Sequence, residues 1–135
     1  MKTALFVLSM TLAATQAFAS GGDGESCFSK NPNATSEKDA FADFDGQIVL
    51  SMTFENEEAP GSATLEFNSR DGGTIAEFSK VKYKFDKRAK TLRYFAKEKG
   101  KILDVLTDSK SGNGTMRYTD LSGKVQSVEV NCMEN

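Results

Sequence analysis

The chain predicts an all-β domain, an antiparallel up-and-down meander forming a small barrel or a two-layer sandwich and closed by one disulfide. Three observations lead there. From position 47 onward, apolar residues alternate with polar ones at a period of two. Short polar turns separate these runs at regular spacing, with no stretch able to act as a long crossover helix. The only cysteines, Cys27 and Cys132, bracket nearly all of the folded part.

The first nineteen residues read as an export signal. Lys2 supplies a positive start, Ala4 to Ala14 an apolar stretch too short to span a bilayer as a mature helix, and Ala17-Phe18-Ala19 the small residues a signal peptidase reads. Cleavage is expected before Ser20, with an uncleaved anchor as the second reading. Cys27 follows Gly24-Glu25-Ser26, several polar residues too late for a lipid anchor. An exported chain meets an oxidising compartment, secreted or periplasmic, so Cys27 and Cys132 are expected to pair and to tie the first strand or arm to the last strand. Residues 20–45 then form an N-terminal arm, and 46–135 the antiparallel β domain.

Within the arm, Ser36 and Asp39 resemble a capping box, and Phe41 and Phe44 share one helical face. One short helix at 36–44, covering an opening of the sheet, and an extended arm with two buried phenylalanines are both compatible with this pattern. The first strand of the body carries Ile48, Leu50, Met52 and Phe54 on one face. Asn56 to Gly61 breaks it. Ala63, Leu65 and Phe67 alternate in the second, which ends at the turn Arg70-Asp71-Gly72-Gly73. The third, Thr74 to Phe85, is long, and its apolar parity changes between Phe78 and Val81, which predicts a bulge near Ser79. Leu92, Tyr94 and Ala96 mark the fourth, Ile102 to Thr107 the fifth, and Met116 and Tyr118 the sixth. Val128, Val130 and Cys132 mark the seventh and last.

The chain contains no histidine, and its cysteines are expected in a disulfide, so the commonest general bases, nucleophiles and zinc ligands are missing. Glu66, Glu77 and Asp104 fall on outward strand positions, and no acidic pair takes an acid and base role. Asp43, Asp45 and Gly46 superficially match a calcium loop, but Phe41 and Met52 occupy its end positions and cannot ligate. Gly112-Asn113-Gly114 opens a strand, which lacks the helix N-terminus of a phosphate loop. These residues predict no enzyme, no cofactor and no metal.

Charge is unevenly distributed. Ten lysines and arginines lie between Lys80 and Lys101, against Asp86 and Glu98. Lys80, Lys82 and Lys84 share one strand face, and Arg93 continues the positive surface on the next strand. One reading is a patch for an anionic partner such as an acidic lipid, lipopolysaccharide, an acidic glycan or an acidic protein. The other is cross-strand pairing with acidic neighbours, with lysines guarding a sheet edge. Nucleic acid fits poorly with export and with a net charge of −2. Phe54, Phe67, Phe78, Tyr83, Phe85, Leu92, Tyr94, Met116 and Tyr118 either line a small-molecule cavity or fill it. The strands are short for an outer-membrane barrel and carry no aromatic girdles, so no membrane insertion is expected.

The stretch Ser111-Gly112-Asn113-Gly114-Thr115-Met116-Arg117-Tyr118, with an export signal and cysteines near both ends of a small β-barrel, resembles the periplasmic inhibitors of C-type lysozyme. In that family a Ser-Gly-rich loop inserts into the lysozyme cleft. The resemblance implies a protein-directed inhibitor in which Ser111 and Lys124 carry the contact, with Asn113 in the same loop. The chain has one residue more before the tyrosine than that family and lacks its downstream aromatic strand.

The expectation is an exported, soluble, monomeric binding protein for a small apolar or amphipathic ligand or a cell-envelope component. Its alternative is the protein-directed inhibitor. The binding candidates are Lys80, Lys82, Lys84, Arg93, Ser111, Asn113 and Lys124.

Overall fold

The computed structural model describes residues 23–55 and 61–134. The expected export signal lies outside them. Eight strands follow one another in the chain: β1 (Asp23–Ser29), β2 (Gln47–Phe54), β3 (Gly61–Asn68), β4 (Thr74–Asp86), β5 (Thr91–Glu98), β6 (Lys101–Asp108), β7 (Asn113–Thr119) and β8 (Val125–Glu134). Each pairs antiparallel with the next, and β8 returns to β1, so the meander closes into a barrel rather than stacking as a sandwich.

Seven strands match the alternating runs, and the eighth, Asp23–Ser29, shows that the stretch expected as a first strand or arm contains a strand. Asp23-Gly24-Glu25-Ser26-Cys27-Phe28-Ser29 shows no apolar alternation, because the residues sharing the face of Cys27 are Glu25 and Ser29. The strand is held by its two neighbours instead. The Cys27–Cys132 disulfide forms between residues directly opposite one another on β1 and β8. The covalent bond therefore sits on the seam where the first and last strands of the barrel meet.

The interior is filled by side chains. Leu50, Met52, Leu65, Val81, Tyr94, Leu103, Val105, Met116 and Val130 are essentially inaccessible to solvent and belong to one cluster. An eight-stranded barrel has an interior about wide enough for such packing. Most outward positions are polar, as at Ser51 and Thr53 on β2, Glu66 on β3, Lys82 and Lys84 on β4 and Arg117 on β7, with Phe95 and Leu106 among the apolar exceptions. Apolar inside and polar outside is the reverse of an outer-membrane barrel. No helix among the described residues is long and apolar enough to cross a membrane.

Residues 30–46 contain turns and no helix. Ser36 does meet Asp39 as a capping pair would, its Oγ accepting from the Asp39 N–H at 3.3 Å and donating to Oδ2 at 3.1 Å. The following backbone makes i→i+3 bonds, Glu37 O to Ala40 N and Asp39 O to Ala42 N, which close single turns without propagating. Gln47 fastens this segment to the barrel. Its side chain is fully buried, and Nε2 donates to the carbonyls of Ser29 at 3.1 Å and Phe41 at 3.2 Å.

Candidate functional site

The β4–β5 hairpin is where the charge asymmetry takes shape. Between Gly61↔Val81 and Ala63↔Phe78 the register slips, so β4 spends an extra residue at Ser79 and Lys80, as the parity change predicts. The Glu98 carboxylate holds this bulge, accepting from Ser79 N–H at 3.0 Å, Ser79 Oγ at 2.9 Å and Lys80 N–H at 2.8 Å. Those bonds hold the Glu98 pKa below the usual carboxylate range. Before the bulge Phe78 faces inward, and after it Val81 does, which turns Lys80, Lys82 and Lys84 to solvent. Without the extra residue these lysines would face the core.

Pairing of β4 with β3 ends at Val81, whereas pairing with β5 continues to Asp86↔Thr91. The hairpin end is braced twice. Asp86 Oδ1 accepts from the backbone N–H groups of Arg88 and Ala89, both at 3.0 Å. The carbonyl of Lys90 then accepts from Ser109 N–H at 2.9 Å, joining this turn to the β6–β7 turn. That second turn is organised in the same way, with Asp108 Oδ1 accepting from Lys110 and Ser111 N–H at 2.8 Å. These backbone bonds push the Asp108 pKa down. One rim of the barrel thus presents Lys87, Arg88, Lys90 and Lys110, all exposed, while its aspartates are turned toward their own turns.

The inner face of the same hairpin is aromatic. Tyr83 and Phe85 remain 46% and 47% exposed, whereas Tyr94, opposite Tyr83, is buried. Phe54, Tyr83 and Tyr94 contact one another with ring centroids 5.6 to 6.1 Å apart. Beneath them the Tyr94 hydroxyl donates to Glu25. Burial, followed by the charge of Glu134, raises the Glu25 pKa against the lowering effect of this bond. The tyrosine pKa is raised in turn by burial and by the adjacent carboxyl.

The seven candidate residues divide between three places. Lys80, Lys82 and Lys84 are exposed on β4, and no ion pair involves them among the described residues. On β5, Lys82 faces Phe95 and Lys84 faces Arg93, so neither meets a carboxylate directly opposite, whereas Lys80 lies beside Glu98 through its backbone N–H. Arg93 turns away from that like charge and chelates Asp104 on β6 with both arms, at 3.0 and 2.9 Å, over the Phe95 ring. Ser111 and Asn113 lie at the start of β7, clasped by Asn131, whose Nδ2 donates to Ser111 O and Asn113 Oδ1. They line an external groove of about 870 Å³ between residues 30–42 and β8, beside Lys30, Phe41 and Met133. Lys124 lies in the turn at the other end of β7, its backbone N–H donated to Asp120. Seven strand residues, about 20 Å, separate it from Ser111.

Sequence reasoning missed Glu25 as a member of the aromatic mouth. Its one signal is its spacing from Cys27 and Ser29, readable only once β1 is known to be a strand. Among the described residues, no three Cys, Asp or Glu side chains converge to hold a metal ion. No protein-family model, curated protein or solved structure matches the chain.

Proposed function

We propose that this is an exported, soluble binding protein for an anionic amphiphile of the cell envelope, held at the β4–β5 hairpin. The observation that carries the reading is the two-sidedness of that hairpin: exposed lysines on its outer face that form no ion pair among the described residues, and exposed Tyr83 and Phe85 on its inner face. An apolar chain laid on the rings is removed from water, and an acidic headgroup at the strand edge meets Lys82 or Lys84 on flexible stems. The buried cluster inside the barrel favours a site at the rim over a central cavity. Export agrees with the disulfide across the barrel seam. The inhibitor reading draws less support, because Ser111 and Lys124 stand at opposite ends of β7.

Calorimetric titration with a monomeric lysophosphatidic acid, kept below its micellar concentration, tests this. Saturable binding is expected, weaker for the zwitterionic lysophosphatidylcholine. Each of the variants Tyr83→Ser/Phe85→Ser and Lys82→Glu/Lys84→Glu is expected to lower affinity about tenfold or more, or roughly 1.4 kcal/mol. Equal binding by all variants, or no binding, overturns the proposal.

A further inference from the structure

We infer that the rim built from the β4–β5 and β6–β7 turns is a docking surface for an anionic lipid bilayer. The inference rests on the amphiphile reading and adds the source from which the ligand is taken.

The first argument is charge complementarity. Lys82, Lys84, Lys87, Arg88, Lys90 and Lys110 gather on the β4–β5 and β6–β7 side of one rim, against Asp86 and Asp108 there and Glu55 at the end of β2 on the same rim. Both aspartates spend a carboxylate oxygen on backbone N–H groups of their own turns. None of the six cations is in an ion pair among the described residues. Of the two described ion pairs, Arg93–Asp104 lies on β5 and β6 directly beside Lys84, and Lys30–Glu129 lies away from this rim's lysines, at β8. A cluster of this size is strongly attracted to an acidic membrane face and only weakly to a neutral one.

The second argument is the apolar component. Phe85 lies directly before the cationic turn, in register with Leu92, and is about half exposed with Tyr83 behind it. Aromatic rings next to long cationic side chains suit the headgroup boundary, where the rings enter apolar surroundings and the charged heads stay among phosphates. Rigidity favours this contact. The two turns are fixed to each other through Ser109 N–H and the Lys90 carbonyl, so little ordering remains to be done on docking.

Polarity across the rim sets the orientation. Glu25 and Glu134 lie opposite each other on β1 and β8, away from the β4–β6 wall. An acidic bilayer repels that side, which tilts the barrel onto its lysine-bearing hairpin. The aromatic mouth of Phe54, Tyr83 and Tyr94 then opens beside the lipid surface.

Co-sedimentation of the mature, disulfide-bonded protein with phosphatidylglycerol–phosphatidylcholine vesicles tests this, with pure phosphatidylcholine vesicles alongside. The expected result is binding to the acidic vesicles that falls as salt is raised. Lys87→Glu/Arg88→Glu should weaken it on the order of a hundredfold. Phe85→Ser should weaken it with circular dichroism unchanged. Lys99→Glu/Lys124→Glu, an equal charge change at turns of the opposite rim, should retain most of it. Equal loss in both charge-reversal pairs would mean unspecific attraction and overturn the assignment of the rim. Binding of monomeric lysophosphatidic acid without vesicle binding overturns the docking inference and leaves the amphiphile reading standing. Binding of neither defeats both.

Discussion

The Tyr94 hydroxyl on β5 donates to the Glu25 carboxylate on β1, joining opposite walls of the barrel beneath the aromatic mouth. Glu25 and Glu98 are both glutamates, yet their surroundings move their pKa values in opposite directions. Both are half-buried in the fold, but Glu25 is desolvated beside Glu134, whereas Glu98 is surrounded by hydrogen-bond donors.

Because the folded protein raises the Glu25 pKa, it holds that proton more tightly than the unfolded chain does. The stabilisation is complete below the unfolded value of about 4.5 and is lost as pH rises through the folded value. Glu25→Gln should therefore flatten the fall in melting temperature between mildly acidic and neutral pH. Tyr94→Phe removes the hydroxyl that solvates the carboxylate and should cost about 1–3 kcal/mol at neutral pH, measured by urea unfolding. An unchanged pH profile in Glu25→Gln would refute this account.

Glu98 gives the opposite sign. Its lowered pKa makes its contribution present above the unfolded value and lost as pH falls through the folded one. Glu98→Ala should speed hydrogen exchange at the Ser79 and Lys80 amides, which it accepts from, and leave the β7–β8 amides protected. Uniform loss of protection would mean that the carboxylate does more than hold the bulge.

The disulfide spans a sequence separation of 105 residues. Chain entropy for a loop of that size predicts a loss of about 4–5 kcal/mol in Cys27→Ala/Cys132→Ala. Denaturant unfolding with and without reductant measures it. The double variant should become insensitive to reductant, and the wild type should lose stability when reduced.

Gln47 is the buried side-chain link between residues 30–46 and the barrel, beside the backbone bonds at the segment's two ends, Lys30 N–H to Glu129 O and Gly46 N–H to Asn68 O. Gln47→Leu keeps the bulk but strips a donor from the Ser29 and Phe41 carbonyls, at an expected cost of about 1–3 kcal/mol. Proteolytic cleavage within 30–46 should accelerate ahead of global unfolding. If cleavage and unfolding change in step, the segment is not held separately.

Strands β2 to β8 were legible because alternation is a local property, written wherever one face is buried and the other wet. The Ser79 bulge was legible for the same reason, since it shifts the parity of the apolar residues in β4. β1 was not, because Glu25, Cys27 and Ser29 replace an apolar face. The possible helix at 36–44 failed despite a formed Ser36–Asp39 contact: a cap contributes to a helix's start, but too few turns followed to offset nucleation. Among the binding candidates, the lysines of β4 form no ion pair among the described residues, whereas Arg93 pairs with Asp104.

The amino-acid order by itself determined an all-β chain, its turns, the cysteines available for a disulfide and the concentration of lysine between positions 80 and 101. These follow from side-chain periodicity and composition. Tertiary structure decided that β8 closes on β1, that Ser109 ties two cationic turns into one rim, and that Lys82 and Lys84 meet no carboxylate among the described residues. Those outcomes depend on which distant residues lie opposite each other. Register is set by the packing of the whole barrel, and the local pattern of any one strand carries no record of its partner.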